Sequence, residues 1–170
     1  VYIYYTDTMK IFSWNVNGIR AVEKKGELEA FLAKHQPDIL CIQETKAQEE
    51  QLGDALFNPE GYHRYFSDAE KKGYSGTAIY TPHEPLRVTT ETTIANVDSE
   101  GRYVAVEYEN LIVVSLYMPS GTSGEERQAI KYQMMDDMLL HFRELRATGK
   151  EVVINADWNI AHTKKDIKEY

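Results

Sequence analysis

Apolar positions along this chain follow two rhythms. Short runs that are apolar, or that alternate with polar residues, predict strands at Met9 to Val16, Asp38 to Gln43, Tyr62 to Phe66, Thr77 to Tyr80, Leu86 to Ile94, Tyr103 to Tyr108, Leu111 to Leu116 and Glu151 to Ile154. A wider spacing predicts helices. Leu28, Phe31 and Leu32 share one face of a helix over Gly26 to His35. Ile130, Met134, Met138, Phe142 and Leu145 stripe the longest helix. Ser123-Gly124-Glu125-Glu126 opens it with capping-box spacing, and it runs to about Ala147 before Gly149 ends it. Thr45-Lys46-Ala47-Gln48 has the same spacing ahead of another short helix, and Asn110 suits a hairpin turn. Strands interleaved with helices, with hairpins in the middle, predict an α/β layer architecture.

Four of the apolar runs end in polar side chains able to meet phosphate or metal. These ends are Ser13-Trp14-Asn15-Val16-Asn17-Gly18, Ile42-Gln43-Glu44-Thr45, Leu116-Tyr117-Met118-Pro119 and Ile154-Asn155-Ala156-Asp157-Trp158-Asn159. If the strands end side by side, amides, carboxylates and a phenol gather at one rim, where α/β sheets place their chemistry.

Composition narrows the picture. A chain of 170 residues is expected to form one domain. Residues 1–8 read either as an extension before Met9 or as an added edge strand, leaving 9–170 as the domain. The formal net charge of -8 argues mildly against a broad basic nucleic-acid stripe, although a divalent cation offsets negative charge locally. Cys41 is the single cysteine and sits in an apolar run, so it reads as a buried thiol in a reducing compartment. No apolar stretch approaches membrane-span length, and Val1 to Thr8 lacks a signal-peptide pattern, so a cytoplasmic protein is expected.

Each candidate residue has a plain alternative. Glu44 is a hard oxygen ligand at a strand end, or a carboxylate favoured by a following helix start. Asp157 and Asn159 share a face if the backbone there is extended, or they close the strand as an Asx turn. Asn15 and Asn17 repeat that spacing and that choice. Tyr117 can donate to a phosphate oxygen or sit as a half-buried strand tyrosine. Gly73-Tyr74-Ser75-Gly76 can follow a phosphate backbone or form a hairpin turn, and Arg102 can meet a ligand or a structural carboxylate. Together they supply what metal-assisted phosphodiester cleavage needs.

Trp14-Asn15-Val16-Asn17-Gly18-Ile19-Arg20, Gln43-Glu44-Thr45-Lys46, Gly73-Tyr74-Ser75-Gly76, Glu100-Gly101-Arg102, Tyr117-Met118-Pro119-Ser120-Gly121 and Asp157-Trp158-Asn159-Ile160-Ala161-His162 stand in an order that resembles the exonuclease III family of exodeoxyribonucleases and apurinic/apyrimidinic endonucleases. The resemblance implies a four-layer α/β sandwich of deoxyribonuclease I type. It implies that this chain supplies roughly the first sheet and its outer helices, the C-terminal part being absent. It also implies Mg²⁺ or Mn²⁺ at Asn15, Glu44, Asp157 and Asn159, with Asn17 in support. Catalysis would fall to Tyr117, Asp157 and Asn159, and DNA contact to Tyr74 and Arg102. The implied partner is duplex DNA with abasic sites or 3′ ends, bound by a protein that is monomeric when complete. The family's Asp-His pair near its C-terminus has no match here, so weak activity, a fragment complementing a separate half, or a phosphatase of the same superfamily are the alternatives. Ala156 stands where the family carries glycine.

Overall fold

The computed structural model describes residues 8–53, 57–120, 124–161 and 163–166. Residues 1–7 of the expected extension, Ser123 of the expected capping box and His162 lie outside them. One sheet holds β1 (Ile11–Asn15), β2 (Ile39–Gln43), β3 (His63–Ser67) and β4 (Thr77–Thr81) in the order β1-β2-β4-β3. The other holds β5 (Arg87–Thr89), β6 (Tyr103–Glu107), β7 (Leu111–Tyr117) and β8 (Glu151–Asp157) in sequence order. β1 pairs with β2 in parallel, as β7 does with β8; all other pairs are antiparallel. A parallel pair requires a crossover. Helices α1 (Ile19–Glu23) and α2 (Glu27–His35) supply the first. The short α3 (Ala95–Asp98) precedes β6, and α4 (Glu125–Ala147) supplies the second crossover.

The period of two along each strand sorts the side chains into three cores. Leu40, Ile42, Ala78 and Tyr80 face outward and pack with Ile19, Val22, Leu28 and Leu32 of α1 and α2. Ala105, Ile112, Val114 and Leu116 face outward on the other sheet and pack with Met134 and Met138 of α4. Ile39, Cys41, Ile79, Val104, Val106 and Val113 fill the space between the sheets. Burial pushes the Cys41 thiol far up, so it stays an inert core thiol.

The order of layers is therefore helix, sheet, sheet, helix, as the four-layer reading expects. One detail is corrected: the described residues build both sheets and both helical layers, not the first sheet alone. The β-rich middle of the sequence closes the sandwich through β5, β6 and β7. Other departures are local. The strand expected over Leu86 to Ile94 is only β5, because Thr92 folds back to bond Asp98 Oδ1 from its N–H and hydroxyl. Thr45 does not cap a helix; a 3₁₀ turn at Glu49–Leu52 follows instead, with Gln48 and Gln51 forming the box. α1 follows Gly18 with no sequence signal strong enough to announce it. Ala156 lies in extended β8 with its methyl toward the α4 core, so the change from glycine introduces no strain. Among the described residues no helix is long and apolar enough to cross a membrane.

Candidate active site

The inward-facing column of each parallel strand changes character toward its C-terminal end. β1 runs Ile11, Ser13, Asn15; β2 runs Ile39, Cys41, Gln43; β7 runs Val113, Ser115, Tyr117; β8 runs Val153, Asn155, Asp157. Apolar residues give way to a polar layer, and the polar layer gives way to the rim. Within that layer Ser13 Oγ donates to Gln43 Oε1 at 3.3 Å, Gln43 Nε2 donates to Ser115 Oγ at 3.1 Å, and Ser115 Oγ donates to the Ile42 carbonyl at 2.9 Å. The two bonds at Ser115 tie the two sheets directly beneath the rim. Asn155 Nδ2 is buried there without a partner.

At the rim a single amide joins the sheets. Asn15 Nδ2 donates to Glu44 Oε1 at 2.8 Å and to Asp157 Oδ2 at 2.7 Å. Two carboxylates from opposite sheets thus lie within two hydrogen bonds of each other. Asn15 Oδ1 is turned away and accepts from the Asn17 N–H at 3.0 Å. The amide therefore presents its nitrogen, not a ligand oxygen, to the carboxylates, which differs from the metal-ligand expectation for Asn15. Glu44 Oε2 pairs with Lys46 Nζ at 2.7 Å, and the same ammonium donates to Asn17 Oδ1. Burial works to raise the Glu44 carboxyl. The Lys46 and Asn15 hydrogen bonds and the Lys46 charge outweigh it, so its pKa lies below the ordinary carboxylate value.

Backbone bonds fix Glu44 from both sides. The Gly18 and Ile19 N–H groups donate to the Glu44 and Thr45 carbonyls, while the Thr45 and Lys46 N–H groups donate to the Gly76 and Ser75 carbonyls. Gly76 permits this approach: it has φ +88, and a side chain there would collide with Thr45 Oγ1. Asn17, Glu44, Lys46, Ser75 and Asn159 all have positive φ without being glycine. Such strain gathers where surrounding structure over-determines the backbone, commonly at sites of function.

Asp157 and Asn159 take the Asx-turn arrangement and still serve the rim. The Asn159 N–H donates to Asp157 Oδ1 at 3.0 Å, Asn159 has φ 50 rather than an extended backbone, and its Nδ2 donates to the Met118 carbonyl at 2.7 Å. Tyr117 faces Glu44 and Asn159; burial first, then the Glu44 charge, push its phenol up to about 12, so it remains a neutral donor.

Tyr74 and Arg102 occupy a branch of the same network. Arg102 is only 1% exposed. Its guanidinium bonds Glu100 Oε2 at 2.7 Å, the Tyr117 carbonyl at 2.8 Å and the Tyr74 hydroxyl at 3.0 Å, and it stacks over the Tyr117 ring at 4.7 Å. Arg102, expected to contact DNA, is thus buried, and its bonds hold the Tyr74 hydroxyl and the Tyr117 carbonyl. Arg127 of α4 also donates to the Tyr74 hydroxyl, at 2.9 Å, and to Glu100 at 3.1 Å. Three residues of this neighbourhood escaped the sequence reading as functional positions: Gln43, Arg127 and Lys131. Gln43 alone had a signal, a polar residue ending an otherwise apolar run.

The oxygen donors available are the carboxylates of Glu44 and Asp157 and the nearby Asn17 Oδ1. Among the described residues no set of three or more His, Cys, Asp or Glu forms a metal cage. One or two carboxylates leaving room for water and phosphate suit Mg²⁺ or Mn²⁺, not a thiolate or imidazole metal.

The helix-flanked β-sandwich thus carries carboxylates, an amide bridge and a phenol at one shared strand-end rim. The model of the endonuclease/exonuclease/phosphatase family matches residues 12–169, and the chain belongs to that family. It is 41% identical over 160 residues to an exodeoxyribonuclease of Bacillus subtilis, covering 94% of this chain and 62% of that protein. It is 39% identical over 162 residues to the DNA repair nuclease APEX1 of Danio rerio, covering 94% of this chain and 52% of the relative. An AP endonuclease structure from Archaeoglobus fulgidus superposes with a TM-score of 0.80 at 28% identity, over 95% of this chain and 62% of the other. The chain thus spans about three-fifths of the length of the B. subtilis relative.

Proposed function

We propose that this chain carries the cation-binding and water-orienting part of a DNA-repair nuclease that hydrolyses phosphodiesters at abasic sites and 3′ ends of duplex DNA, in the cytoplasm and as a monomer when complete. The observation that carries the reading is the Asn15 amide bonded at once to Glu44 and Asp157. Membership in the family and the nuclease relatives support it. The proposed domain is 9–170.

Glu44 and Asp157 would hold Mg²⁺ or Mn²⁺, with Asn15 fixing their separation and Asn17 and Asn159 beside them. The cation supplies charge neutralisation at the phosphoryl oxygens. Asp157 would accept the proton of a water or orient it toward phosphorus. Asn159, its amide held by the Met118 carbonyl and lying beside Tyr117, would donate to a phosphoryl oxygen. Tyr117, neutral and half-buried, would donate to the scissile phosphate. Tyr74 would touch the DNA backbone: two guanidinium donors occupy its oxygen, which turns the hydroxyl hydrogen outward toward an anion.

The test is Mg²⁺-dependent cleavage of a duplex with one abasic site, with Glu44→Gln alongside. Cleavage abolished by chelation and reduced about 10²-fold or more in Glu44→Gln is expected. Cleavage indifferent to both would overturn the reading.

A further inference from the structure

Helix α4 carries two cations one turn apart, Arg127 and Lys131, and positions four apart share a helix face. Arg127 reaches the Tyr74 hydroxyl. Lys131 reaches the other flank of the rim. It is 5% exposed, and its ammonium donates to the main-chain carbonyl of Asn159 at 2.5 Å. A desolvated ammonium is costly unless well hydrogen-bonded, so a surface lysine resting by chance on a carbonyl does not describe it.

What it holds is strained. Asn159 at φ 50 occupies the left-handed region, which a residue with a side chain seldom keeps unless its surroundings hold it there. Three bonds impose it: its N–H to Asp157, its side-chain amide to Met118, and Lys131 onto its carbonyl. The twin turn at Asn15-Asn17 is held by Lys46, which is far more exposed and also pairs with Glu44. Among the described residues Lys131 forms no salt bridge; its charge acts on Asp157 through space, and its ammonium is fixed by the hydrogen bond to the Asn159 carbonyl.

We infer that Lys131 is a positioning residue of the reaction: from α4 it locks the Asn159 turn and so aims the Asn159 amide and the Asp157 carboxylate, without touching phosphate itself. This rests on the proposed roles of Asp157 and Asn159 and deepens them. A misplacement near 1 Å at a reacting group lowers rate about 10²-fold while leaving substrate binding largely in place.

The experiment compares the unaltered chain with Lys131→Met and Lys131→Arg by amide hydrogen exchange and by Mg²⁺-dependent cleavage of an abasic duplex. Lys131→Met is expected to speed exchange at the Asn159 N–H about tenfold while leaving β7 and the centre of α4 protected. It is expected to lower kcat about 10²-fold with KM little changed. Lys131→Arg, which keeps a cationic donor, is expected to recover most of both. Unchanged exchange at Asn159 in Lys131→Met overturns the inference, as does faster exchange spread through α4 and β7. If the unaltered chain leaves the duplex intact, exchange at Asn159 alone decides the role of Lys131.

Discussion

The two parallel strand pairs are built alike and finished differently. Each is a strand, a helical crossover and a second strand: β1 to β2 through α1 and α2, and β7 to β8 through α4. Each ends in an Asx turn, with Asn15 Oδ1 accepting from Asn17 and Asp157 Oδ1 accepting from Asn159, both at 3.0 Å. The residues closing the turns have φ 46 and φ 50. The difference lies in what surrounds the carboxylates. Glu44 is clasped by Lys46 and sewn by backbone bonds to two loops, at the end of a strand buried along its whole length. Asp157 ends the last of the described strands, and its turn is held by a helix behind it. In the proposed reaction the first pair would supply a charge-balanced anchor, and the second a group aimed at water from behind. One repeated strand-end motif can serve two chemical purposes when burial differs.

Changes at the rim test that division most severely. Asp157→Asn is expected to cut cleavage of an abasic duplex about 10²–10⁴-fold with Tm nearly unchanged, since a single positioned acid or base is worth that much. Raising Mg²⁺ is expected to rescue Glu44→Gln in part and Asp157→Asn hardly at all; equal rescue of both would erase the distinction between anchor and water-facing group. Next come the strands themselves. Ile39→Ala in fully buried β2 is expected to cost about 2–5 kcal/mol in denaturant unfolding, whereas Ile154→Ala on half-buried β8 is expected to cost below about 2 kcal/mol. Similar losses would show that the two pairs are equally embedded.

The polar layer beneath the rim gives a smaller effect. Ser115→Ala strands Gln43 Nε2 in the space between the sheets and is expected to cost about 1–3 kcal/mol. Ser115→Ala with Gln43→Leu is expected to be milder than Ser115→Ala alone, because the buried Gln43 donor is gone and the exposed Ser13 hydroxyl can turn to solvent.

Acid titration gives the smallest effect, with opposite signs at two glutamates. At Glu100 burial works to raise the pKa, but Arg102 and Arg127 hold it below the ordinary value. Its contribution is complete above the unfolded value of 4.5 and is lost as pH falls through the lower folded value. Glu23 is buried with both oxygens unpartnered, and burial, then Glu29, raise its pKa. It stabilises most below 4.5, and that stability is lost as pH rises through the higher folded value. Glu23→Gln is therefore expected to flatten the slope of Tm against pH above 4.5, and Glu100→Gln the slope below it.

Much of this molecule was readable along the chain because it is local. Alternation and apolar runs marked every strand, since a strand with one or both faces in a core must repeat every two residues. The stripe from Met134 to Phe142 marked α4, and the polar ends of four runs marked Asn15, Glu44, Tyr117, Asp157 and Asn159 as a possible cluster. What stayed hidden needed a partner distant in sequence. Arg102 could meet a ligand or a structural carboxylate, and only the fold, which encloses it with Glu100, Tyr74 and the Tyr117 carbonyl, decided between them. Lys131 sat among charged helix residues and gave no sign of burial, because the carbonyl it meets belongs to a loop 28 positions on. The question of Asx turn against site had no answer in spacing either: the turn forms, and the opposite sheet then brings Asn15 to Asp157 across 142 positions. Sequence determined which side chains stand at strand ends; only the packing of one sheet on the other decided which of them face one another, since a two-residue period orients a side chain but does not choose its neighbour.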